Sequence, residues 1–280
     1  MASAGAHDPE CLERATVGRV SDIISQNLRP LLAVFGFALF WSWETWRPFM
    51  RFRNRGRHAI RNVAISLLNA VLAAAVYAGA AATISAWTAR EGFGLLNMTM
   101  LPRSVYWVFA FLALDLSTYL WHRLNHVVPL LWRFHRVHHS DQQMDVSTAT
   151  RFHPVEIIIS WAFQLCVMVV VGIPIEVLAL HGLALIVVTQ LHHADVALPA
   201  QFDRALDWVI VSPNMHKIHH SRVRLETDSN FSSVLSIWDR LLGSFRRRAD
   251  YHGIRYGIEG QDGFEEESFA GLLADPFRRG

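Results

Sequence analysis

Histidine is the residue type from which chemistry is most readily read in this sequence. Twelve of its fifteen histidines lie between His122 and His220. Ten of these form four groups: His122-Arg-Leu-Asn-His126, His135-Arg-Val-His138-His139, the pair His192-His193, and His216-Lys-Ile-His219-His220. Side chains three and four residues apart share one helical face, one turn apart. A histidine followed by others at i+3 and i+4 therefore aims two or three imidazoles at one centre. Imidazole suits iron, zinc, copper and nickel. Nine convergent ligands are too many for one metal of four to six coordination. They suit two metals with positions left open for oxygen.

The remaining histidines carry plainer readings. His181, alone on an apolar helix, is expected to be packed or hydrogen-bonded, and His7, His58 and His252 to face solvent. Zinc hydrolysis is the chief rival for the HxxxH group, but a zincin needs Glu directly after the first histidine as general base. Arg123 stands there instead. Carboxylate-bridged di-iron bundles use Glu and Glu-x-x-His ligands. Glu44 and Glu176 are isolated, and Glu156 reads as a partner for a ligand rather than a ligand. Asp115, on the helix that delivers His122, is either a buried residue satisfied by a neighbouring helix or an acceptor for an imidazole N–H. Arg136 and Lys217 lie between histidines and are read as non-ligands that affect rate or donor docking. A membrane zinc hydrolase and a non-catalytic metal-binding membrane protein are the alternatives to an oxidase.

The elements that position these groups are apolar. Of the 280 residues 52% are hydrophobic and 18% charged, and the mean hydropathy is +0.21, which fits several membrane helices better than a soluble domain. The net charge of +2 gives no reason to invoke nucleic acid. Two distant cysteines, Cys11 and Cys166, suggest neither a disulfide framework nor a thiolate site. The sequence predicts an all-α integral-membrane bundle of four to five apolar helices with a cytoplasmic histidine-rich cap. Apolar segments run over 31–46, 63–89, about 104–121, 155–173 and 175–191, the last two forming an antiparallel hairpin around Gly172-Ile173-Pro174. The first carries Glu44, whose end of the segment is expected to lie within protein. A polar segment, 1–29, without the features of a signal peptide, precedes a membrane domain, 30–245. Residues 246–280, acidic around Asp262–Glu267, follow as a loosely ordered cytoplasmic tail.

Arginines set the orientation. The loop RPFMRFRNRGRHAIR after the first segment carries Arg47, Arg51, Arg53, Arg55, Arg57 and Arg61, which the positive-inside rule places in the cytoplasm. Alternation through the spans then puts every histidine motif on that side, in the inner (cytoplasmic) membrane. The helix from Ile175 distinguishes the adjacent pair. Before His193 stand Gln190, Thr189, Ile186 and Gly182, a stripe suited to facing other helices. Before His192 stand Val188, Leu185 and His181. His193 is accordingly read as a ligand and His192 as its neighbour.

Taken in order, HRLNH, WRFHRVHHS, TATRFHPVE, LHHADVALP, SPNMHKIHHS and NFSSVLSIWDRLLGSF resemble the fatty acid hydroxylase/sterol desaturase superfamily over roughly residues 30–245. The resemblance implies two iron ions, O2 as co-substrate, and hydroxylation or desaturation of a fatty acyl, alkyl or sterol-like lipid. Electrons would come from a separate donor, cytochrome b5-like or a ferredoxin with its reductase. By motif position His122, His126, His135, His138, His139, His216, His219 and His220 match family ligands, and His193 aligns with the third motif. That motif commonly reads His-x-Asn; here Asp195 takes the amide's place, either touching the metal or a water, or orienting His193. His153-Pro154 with Glu156 matches a His-Pro-x-Glu pattern in which His153 has a structural or ligand-supporting role. Asn230 and the Trp238-Asp239-Arg240 run are expected to close the cap against the site.

Overall fold

The structure, a computed structural model, describes residues 9–52, 54–260 and 268–278, with side chains described from Leu28. His7 and the acidic run Asp262–Glu267 lie outside the described residues. Those residues form helices and isolated bridges, with no extended strand. Helix α1 (Pro9–Trp46) takes in most of the polar segment as well as the first apolar one. Helices α2 (Arg55–Leu72) and α3 (Ala78–Glu91) are continuous through a π-helical turn at Ala73–Tyr77. Then come α4 (Arg103–Val127), α5 (Pro129–His139), α6 (Pro154–Val171) and α7 (Ile175–His193). Short helices α8 (Ala200–Leu206), α9 (Pro213–His219), α10 (Arg224–Thr227) and α11 (Ile237–Leu241) build the cap, and α12 (Phe269–Ala274) lies near the end of the chain.

Among the described residues four helices are long and apolar enough to cross a membrane: Arg55–Glu91, Arg103–Val127, Pro154–Val171 and Ile175–His193. The outward-facing apolar side chains, such as Leu67, Phe109, Val170 and Val187, are what lipid contact requires. α1 lies along α7 in the same direction. Arg29 Nη2 donates to Leu178 O at 2.8 Å near one end, and Gln190 Nε2 to Ala33 O at 2.8 Å nearer the other. As expected, Glu44 is fully buried: it accepts from the backbone of Asp195 (2.8 Å) and Val146 (3.2 Å) and pairs with Arg55 at 2.5 Å.

α6 and α7 are antiparallel across the tight turn at Gly172, whose φ of 82° ends α6 in the left-handed region. Each packs mainly against other helices, however, with α4 against both. This splaying leaves space between α4, α6 and α7. At the opposite end from the histidines, Leu95 and Leu96 donate to Val170 O and Val171 O, both at 2.9 Å, closing the bundle.

Two expectations are corrected. His58 does not face solvent: it is buried, 2.8 Å from Asp141 and 3.2 Å from Asp145, because the arginine-rich stretch is already helical at Arg55 and turns one face onto the 140–151 loop. Nor do the described parts of 246–280 form a loose tail. Ile254 and Tyr256 pack with Met144 and Ile218, and Leu272 with Ile65 and Val137. Their apolar side chains are spaced too widely for a periodic signal. His252 is exposed, stacked on Phe49.

Candidate metal centre

α4 carries His122 and His126 one turn apart, and both aim at the end of the bundle covered by the cap. α5 starts at Pro129, where the missing amide hydrogen costs nothing, and presents His135, His138 and His139. α7 ends on His193. α9 starts after Ser212, whose hydroxyl accepts from Met215 N at 3.2 Å, and presents His216 and His219 with His220 at its C-cap.

These nine side chains gather into two sets. His122, His126, His135, His139 and His219 form one, and His138, His193, His216 and His220 the other, with one nitrogen from each within 4.8 Å of the rest of its set. Each HxxHH motif is divided between the sets. In α5 His135 and His139 face one centre and His138 the other; in α9 and its cap, His216 and His220 face one and His219 the other. At 3.6 residues per turn, i and i+4 differ by about 40° and i and i+3 by about 60° in the opposite sense, so the outer histidines pair and the middle one points elsewhere. Each motif thus aims two imidazoles at one centre, as its spacing predicts, and the third at the other.

The nitrogens fit cations. His193 Nε2 lies 3.2 Å from His138 Nε2 and 3.1 Å from His216 Nε2, His220 Nε2 lies 3.1 Å from His216 Nε2, and His219 Nε2 lies 3.0 Å from His122 Nε2. Neighbouring ligands of one metal at bond lengths of about 2.1 Å stand about 3.0–3.4 Å apart. Three of the rings donate their other hydrogen outward to a carbonyl: His122 Nδ1 to Phe231 O (2.8 Å), His219 Nδ1 to Ser229 O (2.7 Å) and His193 Nδ1 to Thr189 O (2.8 Å). Their Nε2 lone pairs then face inward, toward other nitrogens, an arrangement that a cation stabilises. His126 Nε2, His135 Nε2 and both ring nitrogens of His139 are buried without a protein partner. Burial, reinforced by the surrounding imidazoles, holds His138, His139, His216 and His220 well below the usual histidine range. It brings His219 to about 3. All five are neutral, the form that ligates.

The supporting residues divide clearly. Glu156 accepts from His135 Nδ1 at 2.6 Å. Asp239 accepts from the backbone of Phe231 (2.7 Å) and Ser232 (2.9 Å), fixing the carbonyl that orients His122. Asn230, with φ 55°, bridges Met215 O and Arg246 and turns the chain so that Ser229 and Phe231 face the histidines. Asp115 accepts from His181, Leu235 N and Trp238 Nε1; it ties the cap to α4 and touches no residue of either set. His153 accepts from Val155 N at 3.2 Å, capping α6, and its other nitrogen lies 3.3 Å from Leu273 O. Asp195 accepts from Met50 N at 3.0 Å and belongs to neither set. His192 also belongs to neither; its ring stacks on His216 at 3.9 Å.

Lys217, the single lysine, is buried, donating to Val196 O at 3.2 Å over the ring of Phe49. Arg136 pairs with Asp275 at 2.9 Å. Both stand outside the two histidine sets, as expected of non-ligands: Lys217 is enclosed and Arg136 is committed to the C-terminal segment. Sequence reasoning missed Asp228, whose Oδ1 lies 3.4 Å from His126 Nδ1. It also missed the carbonyls of Thr189, Ser229 and Phe231, which no side-chain pattern announces.

Between α4, α6 and α7 a cavity of about 360 Å³ reaches the histidines. Trp121, Ile157, Leu185 and Ile186 line it, and His122, His138 and His193 form part of its wall.

Residues 107–244 match the model of the fatty acid hydroxylase family. Over that stretch the chain is similar to the fatty acid hydroxylase family. The matched stretch starts in α4, ends after α11 and includes all nine gathered histidines. Among similar proteins, the ornithine lipid hydroxylase of Rhizobium tropici is 30% identical over 178 residues, 64% of this chain and 52% of its own length. Human alkylglycerol monooxygenase is 32% identical over 152 residues, 54% of this chain and 33% of its own. Human cholesterol 25-hydroxylase is 27% identical over 143 residues, half of each chain. The chain thus matches about half the length of the first and third and a third of the second. No solved structure matches it significantly.

Proposed function

We propose that this chain is an oxygen-dependent, di-iron membrane oxidase that hydroxylates a lipid C–H bond with electrons from a separate donor. The observation that carries the reading is the pair of histidine sets opening onto a largely apolar cavity between spanning helices. His122, His126, His135, His139 and His219 would hold one iron and His138, His193, His216 and His220 the other. When bound, the irons supply the capacity to activate dioxygen for attack on an unactivated C–H bond. The chain's own part is to orient the ligands, through Glu156 and the carbonyls of Thr189, Ser229 and Phe231, and to seat the alkyl part of a lipid against Trp121, Ile157, Leu185 and Ile186 while excluding water. The relatives are named as hydroxylases and monooxygenases, which favours oxygen insertion over desaturation. The arginine-rich stretch at the histidine end supports a cytoplasmic site within reach of a donor such as a cytochrome b5-like protein or a ferredoxin with its reductase.

Metal analysis of detergent-purified protein, with reductant-dependent oxygen uptake and lipidomics of a deletion strain against wild type, tests the reading. Two irons per chain and a lipid class that lacks one oxygen atom in the deletion strain are expected. Tightly held zinc with ester or peptide hydrolysis would overturn it, as would a metal-loaded protein that consumes no oxygen with any lipid extract.

A further inference from the structure

The cap carries an exposed apolar face on the side where it meets α4 and α7. Phe202, Trp208, Val209, Ile237, Leu241 and Leu242 are 42–66% exposed. They come from α8, α11 and the chain that follows each. An apolar cluster so large on a water-soluble surface is unusual.

Its depth follows from hydrogen bonds. Leu235 N and Trp238 Nε1 donate to Asp115 Oδ2 at 3.1 and 2.8 Å. Asp115 stands seven residues before His122 on α4, about 10 Å further into the bundle at 1.5 Å per residue. From Arg103, at the opposite end of α4, His122 is about 28 Å away, close to the roughly 30 Å of a bilayer's hydrocarbon core. Asp115 therefore lies well inside the apolar zone, and the chain bonded to it lies there too. The packing agrees: Val211 and Val234, with Ile210 and Leu235, sit against Phe111 of α4 and Ala184, Leu185 and Val188 of α7.

The local chemistry suits that depth. At membrane depth the polar groups of non-helical backbone must be satisfied within the protein, leaving only apolar side chains to face lipid. Here Val211 N donates to Val234 O (3.0 Å), Ser236 N to Val209 O (3.3 Å), and Ser236 Oγ to Asp207 O (2.6 Å). The nearby charges are paired, with one positive charge left over: Asp207 accepts from both Arg240 and Arg247 at 2.7 Å. Arg240 lies over the rings of Trp208 and Phe245 at 4.5 and 3.9 Å, as arginines do where apolar surface meets headgroups.

We infer that the paired segments around Trp208–Ile210 and Ser236–Leu242 form a wedge of the cap that inserts into the same leaflet as the histidine ends of α4 and α7, with lipid acyl chains as its partner. The wedge makes the bundle's wall continuous with the cap along the α4–α7 seam. It requires no particular activity of the metal centre.

The test uses the full chain with Cys11 and Cys166 replaced by Ser, reconstituted in phosphatidylcholine–phosphatidylglycerol vesicles. Single cysteines, Val209→Cys, Leu241→Cys and, on the exposed outer surface of the cap, Glu259→Cys, are labelled with an environment-sensitive fluorophore. At 209 and 241 a nitroxide on the lipid acyl chain should quench most of the emission and aqueous iodide little of it, with the reverse at 259. Iodide quenching at 209 and 241 equal to that at 259 would overturn the inference. So would protection from both quenchers, which would mean that a protein surface, a second copy or a donor, covers the face. A fluorophore at each position with unchanged iron content shows that the labelled chain is folded.

Discussion

His135 meets Glu156 through Nδ1 at 2.6 Å, while its Nε2 points into a set of four other imidazoles without a protein partner. The carboxylate both fixes the tautomer and raises the basicity of the inward nitrogen. Glu156→Ala should therefore weaken metal binding by about 10–100-fold, read as faster iron loss to a chelator, whereas Glu156→Gln, which keeps an acceptor, should lose less. Equal retention in the two variants and wild type would show that the contact is incidental. His138→Ala and His220→Ala each remove a member of the four-histidine set and should abolish turnover with loss of bound metal. His192→Phe preserves the stack on His216 and belongs to neither set, so its iron content should stay near that of wild type. The nine candidate ligands were legible because their spacing is confined to a few turns of helix. Their partners were less so: Glu156 could be read from its place after His153-Pro154, but the carbonyls that orient His122, His193 and His219 belong to residues of no distinctive type. His58 misled because an exposed-looking arginine run hid the face it turns toward Asp141 and Asp145.

Helices α5 and α9 do more than carry ligands. Each sends its middle histidine to one centre and its outer two to the other, so a rotation of either helix would disturb both sites at once. What prevents rotation is packing from distant chain. Arg151 donates to Val137 O (3.0 Å) and to Ser140 Oγ (2.8 Å) at the end of α5. α12 covers the same helix, with Leu272 fully buried against Val137 and Asp275 held by Arg136. Leu272→Ala should destabilise the cap by about 2–5 kcal/mol, seen as a lower unfolding temperature, and should speed metal loss, because the helix it braces holds ligands of both sets. An unchanged unfolding temperature would make α12 an accessory. The spans were legible from their apolar runs and the turn at Gly172 from its residue types. The wide spacing between Val137 and Leu272 is why the closing segment read as a tail, and helix pairing could not be read from two sequences of nearly uniform hydropathy.

At the scale of the whole molecule, all four histidine groups lie at one end of the bundle and the turns at 92–102 and 172–174 at the other. Apolar composition and alternation through the spans made this legible before any coordinates, since an odd number of crossings separates the arginine stretch from 92–102 and an even number separates it from the histidines. Charge agrees with the geometry. The histidine end carries Arg47, Arg51, Arg55, Arg57 and Arg61 around the start of α2, while the far turn is flanked by Arg90, Glu91 and Arg103. On the positive-inside rule we propose that the histidine end faces the cytoplasm, the side on which a cytoplasmic donor could reach it. With Cys11 and Cys166 replaced, single cysteines at Arg57 and Glu259 should react with a membrane-impermeant reagent only after the inner membrane is opened, and one at Met100, fully exposed on the far turn, should react in intact spheroplasts. Labelling at 57 and 259 from opposite sides would break the bundle topology itself. The same side for both but with all three positions inverted would keep the fold and turn the metal centre outward, away from any cytoplasmic source of electrons.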